Sequence, residues 1–138
     1  MQTVLTYFTL LLTGVLLQAQ NTINVEMSGF ESNDGKAVVG LFNEEKTFLR
    51  DANWKQVSNI IGQTATAIFK DVPDGVYAIS VYHDENDNEK LDLIMGMMPK
   101  EDTGTSNNPK IKMGPPKWEE SNFEIKGNQE LNFQIKIN

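Results

Sequence analysis

The run His83-Asp84-Glu85-Asn86-Asp87-Asn88-Glu89-Lys90-Leu91-Asp92 sets oxygen-bearing side chains at alternate positions: Asp84, Asn86, Asn88 and then Asp92. Alternate residues of a short loop can turn their oxygens toward one centre, and calcium takes about six to eight oxygens. With Asp84 as the first position, Asn86, Asn88 and Asp92 fall at the third, fifth and ninth. Lys90 offers its backbone carbonyl at the seventh. Two positions depart from the helix-flanked calcium loop. Glu89 replaces the glycine that makes the sharp turn, and Met95 replaces the glutamate that closes the coordination sphere. The expectation is therefore a strand-flanked loop completed by an acid from elsewhere. Glu101 and Asp102, just beyond Pro99, are the candidates. The competing reading is a polar hairpin turn, because Asp and Asn favour turns through local bonds to the backbone.

Other chemistry is sparse. His83 is the single histidine and there is no cysteine, so a zinc site of the His/Cys kind cannot be assembled. His83 is expected to end a strand with its ring bonded to a loop carbonyl or carboxylate. Ser80, Ser106 and Ser121 are nucleophile candidates, but none sits in a recognisable elbow, and the expectation is a protein that is not an enzyme. Trp54, Trp118 and Tyr82 have the faces to stack on sugar rings. In a domain this small, aromatic side chains more often belong to the core.

The elements that must position these residues are strands. Ile23, Val25 and Met27 alternate with Asn24, Glu26 and Ser28, a period of two. Asn33-Asp34-Gly35 is a turn signal, and Ala37, Val39 and Leu41 alternate after it, which predicts a hairpin. A short helix is expected from Asn43, with Phe48 and Leu49 as its apolar side, and a mixed segment follows over Asp51 to Gln63. Strands are predicted over Thr64 to Lys70 and Val76 to His83, joined by the Pro73-Asp74-Gly75 turn. The second of these is apolar on both faces, which suits a central strand. Leu91 to Met98 is read as a short returning strand, and Pro99 to Pro116 as a long polar loop. Two more strands run over Ser121 to Lys126 and from Leu131 to the C-terminus. About seven short strands with almost no helical period predict an all-β, immunoglobulin-like antiparallel sandwich with one long ordered loop. A closed barrel is the alternative.

Met1 to Gln20 carries no charged side chain, and Val4 to Leu17 is apolar over about fourteen residues, too short to span a bilayer as a helix. With small Ala19 at its end, the segment reads as a signal peptide over residues 1–19, followed by a single domain over 20–138. The expected location is periplasmic or extracellular, with no membrane span in the mature chain. A net charge of -7 disfavours nucleic acid as a partner. An unidentified ligand or cell-surface component is the partner expected.

Pro73-Asp74-Gly75-Val76-Tyr77-Ala78 is followed by His83-Asp84-Glu85-Asn86, Asn88, Leu91-Asp92, Gly96, Pro99, Glu101, Gly104, Ser106-Asn107, Gly114-Pro115-Pro116 and Phe123. In order and spacing this series resembles the bacterial domain-of-unknown-function family number 2141, small exported proteins. The resemblance implies an exported β-sandwich and brings no catalytic residue with it. Thr105 stands where an aromatic is expected, and Glu89 where glycine is. The resemblance also places His83, Asp84, Asn86, Asn88, Asp92, Glu101, Ser106 and Asn107 in one matching block. It implies that the acidic loop and the segment from Pro99 to Pro116 fold together, tied by calcium or by a dense hydrogen-bond net. His83, Ser106, Asn107 and Trp118 are the expected ligand contacts.

Overall fold

Alternation along the chain is met by alternation in burial. In β1 (Asn21–Ser28), Ile23, Val25 and Met27 are buried while Glu26 and Ser28 face solvent. β2 (Lys36–Phe42) is buried over nearly its whole length. β3 (Trp54–Asn59) is mostly exposed, and β4 (Thr64–Val72) alternates. β5 (Gly75–Asp84) is the longest strand. The computed structural model describes residues 21–87, 93–94, 98–99, 102–110 and 113–138. Later strands are β6 (Leu93–Ile94), β7 (Met98–Pro99), β8 (Thr103–Thr105), β9 (Phe123–Ile125) and β10 (Glu130–Lys136). Among the described residues, one 3₁₀ turn covers Glu45–Thr47, and one short helix, α1, covers Trp118–Ser121.

Two sheets face each other as a sandwich. The smaller has the order β10-β1-β4 and the larger β3-β2-β5-β8, with β9 also pairing β5. Ile23, Val25, Met27, Ala67, Phe69 and Ile135 from the first sheet pack on Val39, Leu41, Ile79 and Val81 from the second. The all-β sandwich is thus as the periodicity predicts. One pairing departs from the antiparallel rule: β1 and β10 run parallel, with Ile23 opposite Leu131 and Met27 opposite Ile135.

The expected β1–β2 hairpin does not form. β1 pairs β4 and β10, whereas β2 pairs β3 and β5, so residues 29–35 cross from one sheet to the other. The two-residue alternation is the same in a hairpin and in a crossing. The crossing is held by Gln63, whose N–H donates to Asn33 Oδ1 at 2.7 Å and whose side-chain amide donates to the Glu31 carbonyl at 3.0 Å. The mixed segment before Gln63 contains β3, a strand without an apolar face because it lies at a sheet edge.

A second, smaller cluster lies on the outer face of the larger sheet. Phe42, Phe48 and Ala78 are buried there, with Leu49, Ala52 and Trp118 against them. Phe48 meets Phe42 and Trp118 edge-on at ring separations of 5.4 and 5.6 Å. The 3₁₀ turn and α1 therefore serve as lids over an apolar strand face.

The β4–β5 turn is locked by polar bonds. Buried Asn21 donates to the Val72 carbonyl and to Asp74 Oδ1, both at 2.8 Å, and accepts from the Gln129 N–H at 2.8 Å. The Tyr77 hydroxyl donates to the Pro73 carbonyl at 2.7 Å. This bond back across the turn resembles the tyrosine corner of Greek-key sandwiches. Burial of the ring, and then the Asp74 carboxylate, raise the Tyr77 phenol above its usual 10.0. Below that value both folded and unfolded chains hold the proton. As pH climbs past it the unfolded chain releases its proton first, so stability falls until the folded phenol ionises too. Tyr77→Phe is expected to lose about 1 kcal/mol at neutral pH. It should also flatten the alkaline fall, measured by urea unfolding at a series of pH values.

Candidate functional site

β5 ends in two buried polar residues, His83 and Asp84. His83 shares the core face with Tyr77, Ile79 and Val81, and its ring stands edge-on to Phe30 at 5.3 Å. Its Nε2 lies 2.7 Å from the Asp34 carbonyl oxygen. A carbonyl oxygen only accepts, so Nε2 carries the proton. In the neutral ring Nδ1 is then a lone pair. That atom is buried and has no hydrogen-bond partner among the described residues. The Glu85 carboxylate faces it, with Oε1 3.6 Å away. A ring nitrogen and a carboxylate oxygen thus face each other, an arrangement whose two atoms can both serve as ligands to a cation.

The backbone around this pair is tightly fixed. Gly35 has φ +68°, and a Cβ at that position would overlap the Asp84 carbonyl oxygen. Only glycine fits both the angle and the space. The Glu85 N–H donates to the His83 carbonyl at 3.1 Å, and the Asp87 N–H to the Asp84 carbonyl at 3.3 Å, which begins the loop. The returning arm comes back beside the departing one. The His83 N–H donates to the Asp102 carbonyl at 3.0 Å, and Thr103 and Asn138 exchange backbone bonds at 3.0 and 3.2 Å. Glu85, Asn86 and Asp87 are exposed. Asn88, Lys90, Asp92 and Glu101 lie outside the described residues. Among the described residues, no three His, Asp or Glu side chains converge as a metal site.

Ser106 and Asn107, expected as ligand contacts, hold backbone groups of the fold. β8 pairs β5 at Ser80 to Tyr82, and β9 pairs it at Gly75 to Tyr77. Ile79 falls between the two. The Ser106 N–H donates to the Ile79 carbonyl at 3.0 Å, and the Ile79 N–H donates to Ser106 Oγ at 3.0 Å. The same hydroxyl donates to the Ser121 carbonyl, while Ser121 Oγ donates to Thr105 Oγ1 at 3.1 Å. All three side chains are buried. The Asn107 amide reaches the Asn122 carbonyl at 3.0 Å and the Glu120 carbonyl at 3.4 Å. Asn108, which the sequence reading passed over, bridges to β10: its amide donates to the Gln134 carbonyl at 2.7 Å and its Oδ1 accepts from the Lys136 N–H at 2.9 Å. Asn107 and Asn108 both have positive φ, a conformation that asparagine tolerates well. Two asparagines after Thr-Ser were the available signal for this clamp.

A family model matches residues 25–133 of the chain. The chain belongs to the DUF2141 family, described as an uncharacterized protein conserved in bacteria. The match spans β1 to β10 and includes both arms of the acidic loop, the Ser106 clamp and α1. No curated protein and no solved structure matches the chain. The family thus agrees with the resemblance carried by the Pro73 turn and the His83 run. No helix among the described residues is long and apolar enough to cross a membrane.

The aromatics expected to meet a sugar are placed differently from one another. Trp118 is half-buried against Phe48, and Tyr82 is half-buried on β5. Trp54 is 38% exposed at the edge strand β3.

Two substitutions separate scaffold from site. Ser106→Ala strands the buried Ile79 N–H and is expected to cost about 1–3 kcal/mol by denaturant unfolding. Gly35→Ala combines a positive φ with an overlap and is expected to cost about 3 kcal/mol or more in the same measurement.

Proposed function

We propose that this chain is an exported, non-enzymatic β-sandwich whose β5–β8 loop is tied at its base by backbone bonds and takes a divalent cation in its acidic part. The observation carrying this reading is the buried, unpartnered Nδ1 of His83 facing the Glu85 carboxylate. Export rests on the uncharged, apolar segment Val4 to Leu17. The non-enzymatic reading is supported by what the serines do: Ser106 and Ser121 spend their hydroxyls on structural bonds.

The alternation of Asp84, Asn86, Asn88 and Asp92 supports calcium as the ion, with Lys90 through its carbonyl and Glu101 as the remaining donors. An imidazole nitrogen favours zinc, copper or nickel over calcium. If His83 is a ligand, a borderline metal should outcompete calcium; if it only supports the loop, calcium should bind alone. In either case the cation would neutralise carboxylates on two chain arms that the His83–Asp102 bond already brings together.

Calcium affinity in the range of extracellular modules is about 10⁻⁴ to 10⁻³ M. At tenfold excess over the dissociation constant, linkage adds about 1.4 kcal/mol, which raises Tm by about 3–6 °C for a domain of this size. The expected result is that rise with calcium, its loss with chelator, and its loss in Asp84→Asn/Asp92→Asn. Unchanged melting with calcium, zinc and manganese alike, together with no heat in titration calorimetry, would remove the cation from the proposal.

A further inference from the structure

The edges of the two sheets approach each other where β3 and β4 run side by side. The Gln56 side-chain amide there donates to the Ile68 carbonyl. Beside this contact lies a shallow groove of about 350 Å³, lined by Asn53, Trp54, Gln56, Phe69, Lys55 and Lys70. We propose that this groove is a binding site for an acidic saccharide, one whose sugar ring carries a carboxylate.

The register assigns each part of the site. Trp54 is opposite Leu41 and Gln56 opposite Val39, so both belong to the side of β3 that faces the other sheet. Lys55 is opposite Gly40, on the outer side of the larger sheet. Lys70 is two positions after exposed Ile68 on β4, on the outer side of the smaller sheet. The groove therefore has an aromatic and apolar floor from Trp54 and Phe69, with one lysine on each lip. The indole is held from behind by Tyr77, ring to ring at 5.8 Å, so its exposed part is pre-oriented. A pre-set aromatic surface binds at low entropic cost.

The chemistry of the lining selects the ligand class. A pyranose ring presents a face of C–H groups that an indole covers by apolar contact. Asn53 and Gln56 supply amides for hydroxyls. The Asn53 carbonyl oxygen takes the Asn43 N–H at 3.0 Å and the Gln56 amide nitrogen is engaged. The Asn53 amide nitrogen and the Gln56 carbonyl oxygen have no bond among the described residues. Lys55 and Lys70 are in no ion pair with a described carboxylate. In a chain of net charge -7, two lysines that no described carboxylate pairs, on either side of an exposed tryptophan, are complementary to an anion. The volume lies within the range of small-ligand sites, about 300–1,000 Å³.

Lysines on edge strands have a second use, because they oppose edge-to-edge pairing between molecules. That role alone predicts association of K55Q/K70Q molecules with no ligand effect. The test is titration of the full chain with trigalacturonate, followed by tryptophan fluorescence and calorimetry, with galactotriose and hexaglutamate as comparison ligands. The expected result is saturable binding of trigalacturonate that weakens with salt. K55Q/K70Q should bind it about fivefold less tightly. Trp54→Ala, checked by circular dichroism for a retained fold, should bind about tenfold less tightly or worse. No binding of trigalacturonate, or binding unchanged in K55Q/K70Q, would overturn the proposal. So would hexaglutamate binding as tightly as the saccharide, or galactotriose binding alone. Because the lysine variants alter only exposed side chains, the result does not hinge on Trp54→Ala folding. Retained trigalacturonate binding with chelator present separates this groove from the cation reading.

Discussion

A break in the pairing of β5 has to be filled, and the second half of the fold is arranged around that need. β8 covers one part of the β5 edge and β9 the other, which leaves Ile79 between them with a buried N–H and a buried carbonyl. Water cannot reach these groups, and each costs free energy if it is left unpaired. Ser106 satisfies both, the carbonyl with its own N–H and the N–H with its hydroxyl. Since that hydroxyl also donates to the Ser121 carbonyl, residues fifteen apart in sequence are bound at a single atom. The intervening chain can then leave the sheet and return. Its return is steadied by Asn107 on the α1 side and Asn108 on the β10 side.

The two ends of β5 contrast in their polar chemistry. At the Gly75 end, Asn21, Asp74, Tyr77 and Gln129 pair donor with acceptor across three chain segments. A satisfied polar network of this kind, centred on buried Asn21, rigidifies and specifies a structure. At the Asp84 end, His83 Nδ1 has no hydrogen-bond partner among the described residues, and the Glu85 carboxylate lies 3.6 Å from it. Native proteins leave few buried polar atoms unmatched, and those few often sit where a ligand, ion or proton completes them. The central strand is therefore fastened at its Gly75 end, and its Asp84 end leads into a segment rich in Asp and Asn.

Individual residues show how far the sequence could be read. The alternation of Ile23, Val25 and Met27 states which face of β1 is buried, and the structure agrees. The alternation is silent on partners, so the Asn33-Asp34-Gly35 turn looks like a hairpin when it is a crossing between sheets. β3 escaped notice because an edge strand has no need of an apolar face. Asp84 and His83 were legible as a strand ending in polar chemistry. The pairing of the His83 ring with Asp34, almost fifty residues earlier, was not. Ser106 and Asn107 were legible as important, but the backbone partners they hold on β5 and after α1 were not, since a serine that completes a sheet looks in sequence like a serine that binds. Trp54 and Trp118 were equivalent in sequence and differ in the fold because one lies at a sheet edge and the other belongs to the lid helix and packs against Phe48.

Sequence alone was sufficient for the class of fold, for the family and for the acidic alternation after β5. These depend on the local period of side chains and on composition, which a strand carries wherever it is placed. Tertiary structure decided which strands meet, the parallel closure of β1 on β10, the hydroxyl that completes β5, and the exposure of one tryptophan rather than the other. Those outcomes depend on contacts between residues far apart in the chain, where a buried donor must find an acceptor and a face must find its cover. No local pattern encodes which distant partner satisfies that requirement.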